Sequence, residues 1–256
     1  MSPKELRKLI SKGKFTRATA GICEGYVQTN LVILPKRYKE DFKLFCEKNP
    51  KAIPLLEVVE DGYRTSFLAK DANLLNELPL YNIIKNGKVV EQVKDISDYY
   101  DEDLVFFLIG CSFTFENSLI KAGISLRHIE NCQNVSMYNT SIELNQVGDF
   151  RGKMVVSMRA IKKELIKLAY EVTSHYPKMH GSPIHHGDPK KIGILDISKP
   201  DYGDVIEIKD DEEPLFWPCG VTPQNVLRDM KIPFAITHTP GHMFVTDRKD
   251  SEFYVA

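Results

Sequence analysis

Six of the seven histidines, His175, His180, His185, His186, His238 and His242, fall in the last third of the chain. Most lie in two segments, HGSPIHHGDP (His180 to Pro189) and THTPGHMFVTD (Thr237 to Asp247). Imidazole exchanges protons near neutral pH and also ligates metals. Both segments are dense in Gly, Pro and Asp, the composition of shaped loops. Proton transfer is the expected chemistry, with His180, His185, His238 and His242 as candidates and Asp188 fixing a histidine tautomer. A metal site built on His180, His185, His186 and Asp188 is the rival. No carboxylate cluster completes its ligand set, so the expectation is catalysis with no metal and no other cofactor.

Two further segments place small and polar residues where a strand turns into a helix. In Gly110-Cys111-Ser112-Phe113-Thr114-Phe115-Glu116 the backbone N–H groups can receive an anion. Cys111 there is either a thiol activated by the helix N-terminus or a small buried residue in a tight turn. Glu116 is either a base or a first-turn residue favoured by the helix dipole. In Phe216 to Gln224 the only Trp, Cys219, Thr222 and Gln224 lie around a second helix start. This is an anion-binding edge or, alternatively, a cap with Trp217 in the core. Arg127 and Arg159 each follow a short regular segment. Arg159, at the exit of Val155-Val156-Ser157-Met158, is placed to fork a carboxylate, or else packs only its stem. The substrate-binding candidates are therefore Cys111, Ser112, Arg127, Arg159, Cys219, Thr222 and Gln224.

The elements that must hold these residues are partly legible. Ser2 and Glu5 form a capping box with Pro3 at the first helical position, and a second helix is expected from Arg37 to Lys48. Asp61-Gly62 and Asn86-Gly87 read as hairpin turns. Leu104 to Ile109, apolar throughout, reads as a central strand with both faces covered by helices. A short helix is expected over Glu116 to Ala122, and strands over Ser136–Tyr138, Ser141–Leu144 and Met154–Met158. An amphipathic helix follows from Ala160 to Ser174. Lys191–Ile197 and Val205–Ile208 read as strands, Asp210–Glu213 as a solvated turn, and Thr222-Pro223 as the start of a helix. No internal repeat is visible. The organisation suggested is a βα core with an inserted or appended α+β piece.

At 256 residues, 43% hydrophobic and 27% charged, the chain has the composition of a soluble globular protein. A net charge of -1 gives no basic excess for nucleic acid or an anionic membrane. There is no run long enough to span a membrane and no secretory leader pattern. The five cysteines, without CxxC spacing, suggest reduced thiols, so a cytoplasmic location is expected. A homo-oligomer is compatible with all of this.

GCSFTFE, RHI, NVSMYNT, VVSMR, HGSPIHHGDP, DYGD, FWPCGVTPQNVL and THTPGHMFVTD, with TAGICEGYVQTNLVILP, FCEKNPKAIPLLE and DLVFFLIGCSF, resemble the D-glutamate cyclase family over essentially the whole chain. His128 and Asp247 are among the positions that match its motifs, and His186 departs from them. The resemblance implies an α/β fold of two domains, one three-layer α/β/α with a mixed sheet and one two-layer α+β sandwich. The boundaries it suggests are residues 1–117 plus 236–256 for the first and 118–235, inserted, for the second. It also implies a hydro-lyase acting on a small carboxylate or amino-acid substrate, converting D-glutamate to 5-oxo-D-proline and water. A hydratase or dehydratase on another small carboxylate, a metal-dependent hydrolase and a non-enzymatic amino-acid-binding protein are the competing readings.

Overall fold

The computed structural model describes residues 1–65 and 67–256. In chain order the elements are α1 (Pro3–Ser11), β1 (Tyr26–Pro35), α2 (Lys39–Lys48), β2 (Leu55–Val59), β3 (Arg64–Thr65), β4 (Ala72–Asn73), β5 (Tyr81–Lys85), β6 (Lys88–Val93), β7 (Leu104–Gly110), α3 (Phe113–Lys121) and α4 (Arg127–Glu130). They continue with β8 (Ser136–Glu143), β9 (Lys153–Lys162), α5 (Ile166–Ser174), β10 (His185–His186), β11 (Glu212–Pro218), α6 (Thr222–Asp229), β12 (Phe234–His238) and β13 (Phe244–Lys249). A seven-stranded sheet runs β2-β7-β1-β12-β5-β6, with β13 on the same edge of β1 as β12; a four-stranded sheet runs β10-β11-β9-β8. The α/β class is as expected. The mixed sheet is not, because every pairing between these strands is antiparallel.

Alternation along β1 and β7 sends side chains to opposite faces of the large sheet. Val32, Leu34, Val105 and Phe107 meet Phe42 and Phe45 of α2 and Val226 and Leu227 of α6. Leu31, Ile33, Phe106 and Leu108 meet Leu68, Leu74, Leu75 and Leu78. That second cover is mostly irregular chain, so the helix layer expected on both faces is present on one only. The apolar β7 sequence satisfies either cover equally.

The small sheet is covered on one face by Ile192, Ile194 and Ile206 packed on Tyr138, Met158 and Phe216. The two strands expected at Lys191–Ile197 and Val205–Ile208 are absent; their apolar residues seal the sheet as irregular chain. On the other face Ile161, Leu215 and Trp217 meet Ala169 of α5 and Phe115 and Leu119 of α3. The helix expected from Ala160 begins only at Ile166, because Ala160, Ile161 and Lys162 pair with β11. Ladder pairing there overrides the helical periodicity. Asn86-Gly87 does join β5 to β6, but Asp61-Gly62 closes no hairpin: β2 pairs with β7, and β3 with β4. Helix α3 starts at Phe113, three residues ahead of expectation, and Asp210–Glu213 runs into β11, which begins at Glu212.

The two sheets repeat one plan. β1 ends in a short 3-10 turn and α2, and β9 in a short 3-10 turn and α5. Seven residue pairs join β1 to β7, from Thr29↔Gly110 to Pro35↔Leu104. Seven join β9 to β11, from Val156↔Pro218 to Lys162↔Glu212. Superposing these registers puts Cys111 on Cys219, Thr114 on Thr222, Glu116 on Gln224, Asn117 on Asn225, Leu119 on Leu227 and Ile124 on Ile232. The hydrogen bonds agree. Thr114 Oγ1 accepts from Gln28 N and faces Gln28 O, as Thr222 Oγ1 does with Val155 N and O. Each half lends its second helix to the other half's sheet: α3 covers β11, and α6 covers β1.

Candidate active site

The interlocked halves bring their two strand-to-helix turns together at a buried junction. Cys111, Phe113, Val135, Met137, Val155, Cys219, Val221 and Met243 pack as one cluster there. Both turns need glycine for space. A Cβ on Gly110 would lie 1.9 Å from the Lys178 carbonyl oxygen, and one on Gly220 would lie 1.9 Å from Asn30 Nδ2. Asn30 Nδ2 also donates to Gly110 O at 2.7 Å, so this one side chain braces both turns.

Beside the junction lies a buried charged constellation. Arg159, on β9, donates from Nε (3.0 Å) and Nη2 (2.5 Å) to Glu116 Oε1, from Nη1 to Ser157 Oγ (2.9 Å) and from Nη2 to Ser112 Oγ (3.0 Å). Its guanidinium lies over the rings of Phe115 and Trp217. His128, on α4, has Nε2 at 2.9 Å from the same Glu116 oxygen. Glu116, His128 and Arg159 are each 2% exposed. Burial alone pushes the Glu116 carboxyl up, but the charges and hydrogen bonds of His128 and Arg159 outweigh it and hold it below the ordinary range. Glu116 Oε2 is buried and has no protein partner among the described residues. An ionised Glu116 accepts from His128 Nε2–H, which leaves Nδ1 as the ring nitrogen that Glu116 does not hold. The His128 ring lines a cavity of about 180 Å3 whose walls also carry Arg17, Ala20, Gly21 and Gln133.

The histidines expected to carry the chemistry each have their own surroundings. His180 is fully buried, with Nδ1 3.0 Å from Lys51 O, while Nε2 has no hydrogen-bond partner among the described residues; burial lowers its pKa to about 4. His238 is also buried, with Nδ1 at 3.2 Å from Leu31 O, an Nε2 unpartnered among the described residues and a pKa lowered by burial to about 4. His242 is half-buried, with Nδ1 on Pro240 O, and burial lowers its pKa as well. His185 sits on the edge strand β10, its ring over Phe216 and its Nε2 at the Asp188 carbonyl. The Asp188 carboxylate fixes no imidazole; it caps the next turn by accepting from Lys190 N. None of these four histidines lines the cavity beside His128.

The binding candidates divide in the same way. Ser112 and Arg159 belong to the constellation, but the Arg159 fork is taken by Glu116. Arg127 forks Glu212 at 2.6 and 3.0 Å and reaches Glu207 O, so it ties α4 to β11. Burial pushes the Cys111 thiol well up and the Cys219 thiol up to about 11. Both are thiols at neutral pH, so of the two readings of Cys111 the small buried residue in a tight turn holds and the activated nucleophile does not. Thr222 donates to Cys219 O at 2.6 Å and holds the turn. Gln224 donates to His238 O at 2.9 Å and lines a separate cavity of about 600 Å3. Asp247 pairs with Arg7 at 2.9 Å, away from this site. Among the described residues no three His, Cys, Asp or Glu side chains gather as a metal-ligand group, and no helix is long and apolar enough to cross a membrane. Sequence reasoning left Glu116 undecided and gave His128 no role of its own. Their place in the GCSFTFE and RHI motifs was the available signal.

Comparison with known proteins follows the same chain segments. The family model described as D-glutamate cyclase matches residues 105–247. A protein of Psychrobacter arcticus named "Putative hydro-lyase" is 49% identical over all of this chain and 97% of its own length. "Putative hydro-lyase YcsI" of Bacillus subtilis is 49% identical with both chains fully covered. A "Putative hydro-lyase" of Clostridium beijerinckii is 50% identical over 98% of this chain and 96% of its own. A solved structure, titled as a nitrogen repressor-like protein from Methanococcus jannaschii, covers 98% of this chain and 99% of its own at 11% identity and a TM-score of 0.40. That likeness carries no argument.

Proposed function

The chain belongs to the D-glutamate cyclase family, and from that premise we propose that this carbon–oxygen lyase closes D-glutamate to 5-oxo-D-proline and water, with Glu116–His128 as the proton-carrying pair. The observation that supports it best is a buried carboxylate–imidazole pair, locked by Arg159, whose His128 lines a cavity that also carries Arg17. In the reaction the α-nitrogen bonds to the side-chain carboxyl carbon, and one carbon–oxygen bond of that carboxyl breaks. The ammonium gives up two protons in becoming the lactam N–H, and the departing oxygen takes up two to leave as water. His128, presenting a basic Nδ1 while Glu116 holds Nε2–H, accepts protons from nitrogen and returns them to oxygen. Glu116 stabilises the imidazolium between those steps, and Arg159 keeps Glu116 ionised. Arg17, exposed on the cavity wall, pairs with the α-carboxylate. Both reacting groups belong to one molecule, so holding the folded conformer supplies much of the acceleration.

Proton NMR of D-glutamate with the enzyme, beside L-glutamate and an enzyme-free control, tests the reading. The lactam should form only from the D isomer, and His128→Asn should slow it about 10²- to 10⁴-fold, the usual worth of a positioned acid–base group. A wild type that leaves D-glutamate unchanged, or a His128→Asn variant as fast as wild type, would overturn it.

A further inference from the structure

We infer that the cavity beside Gln224 and Asn225 is a second, non-reacting ligand site, built for a small carboxylate that carries an amide. It is the counterpart, in the second half of the repeat, of the place beside Glu116 and Asn117 in the first. In the first half Glu116, Asn117 and Ile120 line a cleft of only about 20 Å3, closed by the chain from Gly21 to Tyr26. In the second half Gln224, Asn225 and Arg228 stand at the matching positions and line about 600 Å3. The repeat has kept the frame and changed the chemistry. Gln224 has a neutral amide where Glu116 has a charged carboxylate, and Arg228 a guanidinium where Ile120 has a hydrocarbon.

The lining defines the ligand. Its cations are Lys88, Arg228 and Lys231, and no carboxylate lies among the lining residues. Arg228 Nε donates to Asp229 at 3.2 Å at the surface and Nη1 to Tyr202 Oη at 3.4 Å, while Nη2 makes no hydrogen bond among the described residues. Such a rim takes an anion, and a guanidinium suits a carboxylate. The buried floor is made of amides. Asn82 Nδ2 faces Gln224 Oε1 at a long 3.5 Å, so a donor and an acceptor lie side by side with capacity to spare. Gln92 Nε2 donates to Asn82 Oδ1 at 2.8 Å and holds that amide in orientation. An amide whose N–H and C=O lie on one edge pairs with such a donor–acceptor couple. The apolar walls, Ile84 and Val89, suit a short hydrocarbon ring or chain between the ligand's two polar ends. With no titratable carboxylate or imidazole in the lining, the site binds without chemistry. The lactam acid formed in the proposed reaction meets this description. Only the choice of probe rests on that reading; the site itself does not.

Isothermal titration with 5-oxo-D-proline, with acetate as a control lacking the amide, tests the inference on three forms of the full chain. Wild type and His128→Asn should share one equivalent of uptake tighter than that of acetate, assigned to this cavity by its loss in the cavity variants. Arg228→Ala should weaken binding at least about tenfold, the loss expected for one charge-assisted hydrogen bond. Val89→Trp, at a position 53% exposed on β6, should fill the cavity and abolish uptake with an unchanged Tm. Absence of uptake by wild type overturns the inference. So does uptake that survives both cavity variants, and so does uptake lost in His128→Asn, which would put the probe beside Glu116 instead. Turnover of D-glutamate is a separate readout. Its absence would sink the cyclase reading while titration still decides the cavity.

Discussion

Replacing Glu116 by Gln isolates the charge that holds the constellation together. The change is nearly isosteric, so packing in the α3–α5–β11 layer is conserved while the Arg159 guanidinium, with its side chain 1% exposed, loses its counter-ion. Removing one partner of a buried ion pair costs about 3–5 kcal/mol, because the remaining charge is left in a poorly solvating interior. At roughly 2–4 °C per kcal/mol for a chain of this size, Glu116→Gln should lower Tm by roughly 6–20 °C. The pH dependence has a definite sign. Glu116 is held below the ordinary carboxyl range in the folded state, so its contribution is full above the unfolded pKa of about 4.3 and fades as pH falls through the folded value. The gap in Tm between wild type and Glu116→Gln should therefore be widest near pH 7 and close on acidification below about pH 4. A second variant, Glu116→Gln with Arg159→Met, removes the stranded charge and should recover much of the stability without recovering turnover. Calorimetry on the three proteins decides the matter. A Glu116→Gln variant melting within about 2 °C of wild type at pH 7, or a double variant less stable than the single one, would refute the view of Glu116 as the counter-ion of Arg159.

Three further predictions follow from the same geometry. Gly220→Ala puts a methyl into Asn30, which braces both strand-to-helix turns; it should cost at least about 1–3 kcal/mol of stability by overpacking, read as a lowered urea midpoint. Iodoacetamide at pH 7 should modify exposed Cys132 first and the partly buried Cys23 slowly, sparing Cys46, Cys111 and Cys219, by mass spectrometry of the native protein; labelling of Cys111 at the rate of Cys132 would count against a buried thiol. His180 and His238 are each held near a pKa of about 4, below the unfolded value of about 6.5. The unfolded chain thus binds more protons between those values, and Tm should fall from pH 6.5 toward 4, less steeply in His180→Gln and His238→Gln; slopes equal to wild type would contradict their buried neutral state.

What the sequence revealed depended on whether a feature is local. The α1 capping box, the Asn86-Gly87 turn and the buried β7 run rest on short stretches of chain, and the structure has all three. Histidine density, by contrast, does not mark the lining of the cavity beside His128. His180 follows α5 and a short 3-10 turn and His238 ends β12, both buried beside backbone carbonyls, while His185 lies on an edge strand with its ring stacked on Phe216. The buried pair we propose for proton transfer joins Glu116 and His128, neither of which lies in a histidine-rich loop. Asn30, which braces the junction, sits in an apolar strand pattern that gave no reason to single it out.

The repeat was hidden for a similar reason, and its geometry explains why the charged site is unique to one half. The halves share side chains only where the junction demands them: a Cys in each turn, a Thr hydroxyl closing onto the long strand, and an Asn and a Leu on the helix behind. Along the strands any apolar residue serves, so similarity fades there. The β5–β6 hairpin, between β2 and β7, has no counterpart between β10 and β11, which breaks the spacing a repeat would show. Because each half lends its second helix to the other's sheet, Glu116 of the first half meets Arg159 of the second. The position matching Arg159 in the first half is Val32, packed in the core under α2 and α6. A carboxylate at Gln224 would face no guanidinium on β1, and an unpaired buried charge there would cost several kcal/mol. The amide at Gln224 is thus the neutral solution to the same frame: one half of the molecule buries an ion pair, and the other presents uncharged donors and acceptors at the matching position.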